Sequence, residues 1–370
     1  MRKWLSILSV LLIVTAGIMG GGYYLWQTET VSKPKLIQLS TVGPRGEAPV
    51  SSEVLYLLDS QIKEVRSLGL TAAVVLHDTQ SEFSRVLIKG LKKELDDLNI
   101  DLIYLSDAGF DPYIERLQLV SAVLKGPDIL ITLPLDPDDL TYILKTASYK
   151  KVAVSILSNM PKDMEHPRDY AGVVTDDLFQ MGRYVAEMMA HNITGTGKVA
   201  LLYHDAEYYV TNQRDQAVET VLRHRFQNVE IVAKQGITSA SEAREKTLAI
   251  LEEHPDLDAI YVPWATLAKG SLEGLREMTN KRVKLFTIDF DIELSKDMLL
   301  DGNVKGVVVD QPYEIGRSLV RVGVLSKLGE PTPAFTTVRA QKIDKKSLAV
   351  LWREIQHEDL PAEILNEVRK

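Results

Sequence analysis

Polar and aromatic side chains recur directly after short apolar runs of this sequence. Asp289 follows KLFTI, Trp264 follows LDAIYVP, and Asp205 follows KVALLYH. A carboxylate accepts hydrogen bonds from neighbouring hydroxyl groups, and an aromatic ring covers the apolar face of a sugar-like ring. These residue types therefore predict a site for a small, hydroxyl-rich ligand. The predicted set at such positions is Gln80, Ser81, Phe83, Asn159, Asp176, Asp205, Tyr209, Asn212, Trp264, Asp289, Asp310 and Gln311.

Patterns typical of catalysis or metal binding are missing from the sequence. There is no G-x-S-x-G motif, which a serine hydrolase of the α/β class would need. His77-Asp78 and His204-Asp205 are adjacent pairs and lack a chelating spacing. The segment 195–198 is not a full phosphate-binding loop, and it precedes a strand instead of following one. We therefore expect no enzyme, no cofactor and no metal, with a sugar-processing enzyme as the less favoured alternative.

The elements that position these residues alternate regularly from residue 71 onward. Amphipathic helical segments such as EFSRVLIKGLKKELDDL separate short apolar runs that suit buried strands. Those runs are TAAVVLH, DLIYL, PDILITLP, KVAVSIL, AGVVT, KVALLYH, VEIVAKQ, LDAIYVP, KLFTIDF and VKGVVVD. This alternation predicts parallel sheets covered by helices on both faces, in two similar α/β lobes. Ligands of such sheets bind outside the carboxyl ends of the strands, where the polar residues lie.

The same strand ends carry longer segments in a fixed order. They are VVLHDTQSEFSRVLIKGLKKE, PDILITLPLDP, VVTDD, VTNQRDQAVETVL, HPDLDAIYVPW, FTIDFD and VVVDQPYEIGRS. In this order they resemble the type I periplasmic binding proteins, specifically the ribose-like sugar-binding group, over residues 70–345. The resemblance implies two Rossmann-like lobes joined by a three-strand hinge that closes on ligand. It places lobe 1 at residues 71–175 plus 311–337, and lobe 2 at 176–310 plus 338–370 with the C-terminal helices.

The resemblance also implies roles for particular residues. Phe83 matches the aromatic residue that stacks on the sugar from the first lobe, and Asp289 matches the sugar-binding aspartate. Arg214 matches a nearby arginine of the family, which adds it to the predicted ligand-binding set. Asp310 or Gln311 matches the glutamine of the hinge region.

Three positions depart from the family pattern. Asn212 stands where an arginine often binds ligand, and Trp264 stands at an asparagine position. The segment 156–159 replaces an Asp-Arg pair that binds sugar hydroxyls. These departures argue against ribose itself, because losing a polar contact rejects a ligand that needed it. The ligand is expected to be a small sugar or sugar-like molecule, with a polyol or an autoinducer as the non-sugar alternative.

The first 30 residues predict how the chain is held at a membrane. Residues 4–26 are uncharged and long enough to cross a bilayer, which takes about 20 residues. Arg2 and Lys3 precede them, which favours a cytoplasmic N-terminus. We expect a retained signal-anchor helix within residues 1–30, with a cleaved secretory signal as the alternative. Because the chain has no cysteine, a lipid anchor on cysteine is excluded.

The segment that follows predicts a connection to the first lobe. Residues 31–70 are expected to form a polar stalk and an amphipathic helix, with the helix over 51–67. The net charge of −8 argues against a nucleic-acid partner. The resemblance and the anchor together imply the extracytoplasmic face of a bacterial cell membrane. They also imply a membrane partner, either a histidine kinase that senses sugar or an ABC permease that imports it.

Overall fold

Two sheets of mainly parallel strands organise the structure, a computed structural model that describes residues 40–206, 209–280 and 282–368. The strands are β1 (Val50–Ser51), β2 (Thr71–Leu76), β3 (Asp101–Asp107), β4 (Ile129–Thr132), β5 (Ala153–Leu157), β6 (Gly172–Asp176), β7 (Gly197–His204), β8 (Val229–Ile237), β9 (Ala259–Tyr261), β10 (Lys284–Ile288), β11 (Val304–Val309), β12 (Phe335–Val338) and β13 (Gln341–Ile343). The first sheet has the order β1-β12-β6-β5-β4-β2-β3, and the second has β13-β11-β10-β9-β7-β8. The pairing of β11 with β13 is antiparallel. The predicted α/β architecture with parallel sheets is confirmed.

Helices lie between the strands, as the alternating pattern predicts. They are α1 (Asp59–Leu68), α2 (Glu82–Asp97), α3 (Pro112–Leu124), α4 (Pro137–Tyr149), α5 (Leu178–Asn192), α6 (Tyr209–Arg225), α7 (Ala240–Glu253), α8 (Ala265–Glu277), α9 (Ile292–Leu299), α10 (Pro312–Lys327), α11 (Leu348–Gln356) and α12 (Ala362–Val368). On the first sheet, Leu91 of α2 and Leu319 of α10 are buried on one face. Leu119 of α3 and Leu140 of α4 are buried on the other. The second sheet is enclosed in the same way, by α7 and α8 on one face and by α5 and α6 on the other.

The chain passes between the two sheets three times within the described residues: after β6, after β11 and after β12. The backbone amide of Asp177 donates to the carbonyl of Val338 over 2.9 Å, which joins the first crossing to the third. The Gln311 side chain donates from Nε2 to the carbonyl of Arg339 over 2.7 Å, which joins the second to the third. These hydrogen bonds hold the crossings side by side, in the arrangement expected of a hinge.

The described part of the predicted stalk packs on the protein body. Thr41 is 1% exposed, and its hydroxyl accepts a hydrogen bond from the backbone amide of Phe179 over 2.9 Å. The Tyr209 hydroxyl donates to the carbonyl of Val42 over 2.6 Å. Strand β1 then pairs in parallel with β12. Residues 40–51 are therefore not a free stalk, because backbone pairing and buried side-chain hydrogen bonds attach them to both lobes.

The amphipathic helix begins later than the sequence indicates. The sequence predicts a helix over residues 51–67, but α1 spans Asp59–Leu68. Ser51 instead caps a short 3-10 helix, Ser52–Val54, by accepting a hydrogen bond from the Glu53 amide. Val50 and Ser51 pair with β12 as a strand. A helix that began at residue 51 would lose the backbone hydrogen bonds of this pairing. The predicted signal-anchor, residues 1–30, lies outside the described residues; within the described part, no helix is both long and apolar enough to cross a membrane.

Helices α7 and α8 approach so closely that a glycine is required at their contact. A Cβ atom added at Gly270 would collide with the carbonyl oxygen of Ala240. One turn later, a Cβ at Gly274 would lie 3.2 Å from the carbonyl oxygen of Arg244 and 3.5 Å from the Cβ of Thr247. The two glycines therefore differ in how much space a methyl group would find.

This difference predicts unequal effects on stability. Gly270→Ala should lower the free energy of unfolding by about 2 kcal/mol, because overpacking a rigid backbone contact forces the helices apart. Gly274→Ala is the matched control and should change it by less than about 1 kcal/mol, since a gain in helix propensity offsets the tight contact. Urea denaturation of both variants measures the two values. Equal destabilisation of the two would contradict the close approach at Gly270.

Candidate ligand-binding site

A cavity of about 440 Å³ lies between the two lobes, at the carboxyl ends of the strands. The residues that line it are Ser81, Glu82, Phe83, Leu133, Ser158, Asn159, Asp176, Val210, Arg214, Trp264, Ala265, Thr266, Asp289, Phe290, Asp291, Asp310 and Gln356. Most follow the last residue of a strand directly or lie in the first turns of the next helix. The arrangement agrees with the general location of ligands in parallel sheets.

Several residues predicted from the sequence meet at this cavity although they are far apart in the chain. They are Ser81, Phe83, Asn159, Asp176, Arg214, Trp264, Asp289 and Asp310. The first three belong to the lobe of the first sheet, and Arg214, Trp264 and Asp289 to the lobe of the second. Asp176 and Asp310 lie at two of the crossings, so a ligand here would contact both lobes and the hinge.

Other predicted residues do not line the cavity, namely Gln80, Asp205, Tyr209, Asn212 and Gln311. Gln80, Asp205 and Asn212 are exposed. The Tyr209 hydroxyl is taken up by the Val42 carbonyl, and the Gln311 amide by the Arg339 carbonyl. For Tyr209 and Gln311 these hydrogen bonds oppose a direct role in the cavity, whereas a ligand contact of Gln80, Asp205 or Asn212 stays a prediction.

The cavity also has lining residues that the predicted set omits. Ser158 precedes the predicted Asn159, and Phe290 follows the predicted Asp289. Both could therefore have been found by including the neighbours of predicted residues. Gln356 comes from the last turn of α11, near the end of the chain, and no strand-end pattern points to it. The residue is 4% exposed, and its Oε1 has no hydrogen-bond partner among the described residues.

Three carboxyl groups and a guanidinium form the polar centre of the cavity. Asp176 and Arg214 are each 7% exposed, whereas Asp289 and Asp310 keep partial exposure at the cavity. Oδ1 of Asp176 and Nε of Arg214 have no hydrogen-bond partners within the described part of the chain. Buried polar atoms are normally paired with protein groups or ordered water, so unpaired atoms on cavity-lining residues are available to a ligand or to water.

The burial of these groups changes their acidity. Burial raises the pKa of Asp176 to about 7, against the opposing attraction of Arg214 and with the help of the nearby Asp289. Burial likewise raises the pKa of Asp289, again opposed by Arg214. The pKa of Asp310 is raised well above its ordinary value by burial first, and then by Asp176 and Asp289. Perturbed carboxyl groups gathered in a cleft are typical of functional sites.

The loop before α2 positions Ser81 and Phe83 at the cavity rim. Oδ1 of Asp78 accepts hydrogen bonds from the amides of Gln80 and Ser81, at 2.6 and 2.7 Å. Its Oδ2 accepts from the hydroxyls of Ser81 and Ser84, at 2.6 and 2.9 Å. Burial alone would raise the pKa of Asp78, but these hydrogen bonds outweigh it and lower the pKa. Asp78 is thus an ionised support for the loop that leads to Ser81 and Phe83, both of which line the cavity.

Aromatic side chains approach the cavity from both lobes. Phe83 comes from the first lobe, and Trp264 and Phe290 come from the second. The Trp264 ring packs edge-on against the His204 ring at 4.8 Å, and the Phe290 ring contacts the Trp352 ring at 4.8 Å. These contacts fix the positions of the rings, so that they can cover the apolar faces of a small cyclic ligand.

Two lining residues have left-handed backbone conformations at their strand ends. Ser158 follows β5 with φ of 57°, and Asp289 follows β10 with φ of 74°. Such conformations are uncommon for residues other than glycine, and aspartate tolerates them better than most because its short side chain forms local hydrogen bonds. Strained backbone of this kind clusters at ligand sites, where it directs a side chain toward the ligand in a way that a regular strand does not allow.

The arrangement suits the recognition of a small polar ligand. Among the described residues, no group of three or more His, Cys, Asp or Glu side chains is placed to hold a metal ion. The cavity instead combines hydrogen-bond acceptors, a buried guanidinium and aromatic rings, shared between two lobes that a hinge connects. These features define a two-lobed protein that captures a small ligand between its lobes.

The protein belongs to the periplasmic binding protein domain family, whose family model matches residues 72–330. A curated relative is the ribose import binding protein of Bacillus subtilis (strain 168), which is 24% identical over 262 residues, covering 69% of this chain and 79% of the relative. The resemblance to type I periplasmic sugar-binding proteins is thereby confirmed.

Solved structures share the fold at low sequence identity. A solute-binding protein of an ABC transporter from Agrobacterium vitis, bound to α-D-tagatopyranose, has a TM-score of 0.67 and 17% identity, covering 79% of this chain and 99% of its own. A glucose-galactose binding protein from Geobacillus stearothermophilus has a TM-score of 0.64 and 22% identity, covering 76% of this chain and 99% of its own. At such identities the likeness concerns the fold and not the ligand.

Proposed function

We propose that the protein is an extracytoplasmic solute-binding protein that captures a small sugar or sugar-like ligand between its lobes. The observation that carries the proposal is the cavity itself. Carboxyl groups, a guanidinium and aromatic rings from both lobes converge there, with unpaired buried atoms at Asp176, Arg214 and Gln356. This donor and acceptor set suits hydroxyl groups, and the rings suit the C–H faces of a sugar.

Ligand capture on this proposal works through the hinge. A ligand that contacts Phe83 on one lobe and Asp289 on the other interacts with both only when the lobes are close. It therefore stabilises the closed state by its differential affinity for that state. No bond of the ligand is broken, which is consistent with relatives described as binding proteins. A sugar-processing enzyme is the less favoured alternative, and turnover of a bound sugar would establish it.

A membrane partner is proposed to recognise the closed form. An ABC permease is supported by relatives named as import and transporter binding proteins. A histidine-kinase sensor is supported by the apolar run at residues 4–26, which would hold the protein beside a membrane receptor. Family membership supports an extracytoplasmic location. A polyol or an autoinducer is the alternative ligand if sugars fail.

The proposal predicts a thermal shift with one class of sugar. The purified full chain should be screened against pentoses, hexoses, amino sugars, polyols and small autoinducers. A ligand present at 100 times its dissociation constant should add about 2.7 kcal/mol to the free energy of unfolding. Trimethylamine N-oxide at equal concentration controls for general solvent effects, because it is neither a sugar nor a polyol. Absence of any shift across all the sugars would contradict the proposed function.

A further inference from the structure

The charges at the cavity do not balance, and this bears on which ligand fits. Glu82 forms an ion pair with Arg85, and Asp291 forms one with Lys269 at 3.1 Å, so both lining carboxylates have cationic partners outside the cavity. Asp176, Asp289 and Asp310 have no such partners among the described residues. They share the guanidinium of Arg214, which is the one cation among the lining residues. The centre of the cavity thus carries more carboxyl groups than one guanidinium can neutralise.

The unpaired buried atoms of the lining residues also favour a ligand that supplies hydrogen-bond donors. Oδ1 of Asp176 accepts no hydrogen bond from the described residues, and the residue is 7% exposed. Oε1 of Gln356, a residue that is 4% exposed, is an unpaired acceptor as well within the described part of the chain. Nε of Arg214 is the unpaired donor. Among the fully buried atoms of the lining residues, the unpaired acceptors therefore outnumber the unpaired donor, which favours a ligand that supplies hydrogen-bond donors.

One of the hinge crossings adds to the excess of carboxyl groups in the cavity. At the second crossing the side chain that lines the cavity is that of Asp310, while the neutral amide of Gln311 is bonded to the Arg339 carbonyl. The lining thus gains a carboxyl group where the neighbouring residue would have supplied a neutral donor and acceptor. Closing the lobes over these groups as carboxylates is costly, because a buried charge needs a partner. Burial accordingly raises the pKa values of Asp176 and Asp310, and a cationic ligand would supply the partner that lets them ionise.

From these observations we infer that the ligand is a small polyhydroxylated molecule bearing a protonated amino group, such as an amino sugar, bound among Asp176, Asp289 and Asp310. An ammonium group supplies three donors and one positive charge, which matches both the unfilled acceptors and the excess of carboxyl groups. Its charge-assisted hydrogen bonds are about twice as strong as those of a neutral hydroxyl. Phosphorylated sugars and sugar acids would place a further negative charge among these carboxyl groups, so we expect them to bind more weakly. The inference rests on the proposed function and narrows its ligand class.

Isothermal titration of the full chain at neutral pH with matched sugars tests this inference. The probes are glucosamine, galactosamine and mannosamine, each with its parent hexose, its neutral N-acetyl derivative and the corresponding uronic acid. At least one amino sugar should bind about tenfold or more tighter than its parent and its N-acetyl derivative, a difference of about 1.4 kcal/mol. The uronic acids should bind more weakly than the parent hexoses.

The variant Asp310→Asn tests where the amino group is held. It nearly preserves side-chain shape, and thermal melts check its folding. Affinity for the amino sugar should fall about tenfold or more, while affinity for the parent hexose changes less. Equal losses for both would overturn the placement of the amino group. A parent hexose that binds the wild type as tightly as its amino sugar would overturn the inference and leave the proposed function standing. Absence of binding by every sugar would overturn both.

Discussion

Asp289→Asn is expected to weaken binding of the tightest sugar of the panel by about 100-fold, which corresponds to about 2.7 kcal/mol. Asp289 is at the end of β10, lines the cavity and is partly buried among Asp176, Asp310 and Arg214. Replacing a carboxylate by an amide removes the charge from each hydrogen bond that a ligand donates to it. A hydrogen bond to a charged group contributes about 1.5–3 kcal/mol, and the closed cleft excludes the water that could replace it.

The choice of asparagine separates loss of contact from backbone strain. Asp289 has φ of 74°, a conformation that asparagine tolerates and alanine adopts only with strain. Asp289→Ala would therefore lower affinity for two reasons at once. Isothermal titration measures the affinity, and a thermal melt of the ligand-free variant checks that the fold is retained.

Asp291→Asn is the matched control for this experiment. Asp291 lines the same cavity two residues later, but its Oδ1 accepts hydrogen bonds from the amides of Glu293 and Leu294 at 2.8 and 3.1 Å. It is therefore the N-cap of α9, and its substitution should reduce stability by about 1 kcal/mol or less with little effect on affinity. Asp289→Asn with the affinity of the wild type would remove Asp289 from the site.

Asp176→Asn is expected to stabilise the ligand-free protein at pH 8 while weakening ligand binding. Burial raises the pKa of Asp176 from 3.8 to about 7, so the folded protein holds this proton more tightly than the unfolded chain does. Stability from a raised pKa is fully present below the unfolded value and is lost as the pH rises through the folded value. In the wild type, that loss accumulates between about pH 4 and pH 7. Since each pKa unit corresponds to about 1.4 kcal/mol, the variant should be more stable by about 2–4 kcal/mol at pH 8.

Urea denaturation of wild type and variant, free of ligand, at pH 4.5, 6 and 8 measures this difference. The stabilisation should be small at pH 4.5 and should grow toward pH 8, because asparagine does not titrate. Asp107→Asn supplies a control of opposite sign. Its pKa is lowered, chiefly by the hydrogen bond from the Thr79 side chain, so its contribution is present at neutral pH and lost on acidification. A pH-independent effect of Asp176→Asn would show that its burial does not destabilise the charged form.

The alternation of strands and helices is determined by the sequence alone. Runs such as TAAVVLH and KVALLYH are apolar on both faces because each strand is covered by helices on both sides, as Ala72 and Ala73 or Leu201 and Leu202 show. The strand ends follow from the same pattern, and parallel strands place all of those ends at one edge of the sheet. Asp289 and Trp264 could therefore be expected near each other, and the structure brings both to one cavity.

Which side chain at a strand end enters the cavity was decided by tertiary structure. Asp310 and Gln311 are adjacent, and consecutive residues of an extended chain point to opposite sides. The register of the crossings, and not the residue type, determines that Asp310 lines the cavity while the Gln311 side chain donates to the Arg339 carbonyl. Tyr209 had the chemistry of a ligand contact, yet the arrival of Val42 from the distant N-terminal segment takes up its hydroxyl.

Local sequence patterns also fail to predict the contacts made by the two ends of the described chain. Nothing around Gln356 resembles a strand end, because the residue belongs to the last turn of a C-terminal helix whose Trp352 is packed in the core of the second lobe. Residues 40–51 are polar and rich in turn formers, so their sequence indicates a stalk. In the structure, β1 pairs with β12 through backbone groups. Because every residue type carries these groups, the side chains give no sign of the pairing. Local patterns determine which elements form and where polar residues gather. Only the assembled lobes decide which of those residues remain unpaired, because pairing depends on contacts between segments that are remote in the sequence.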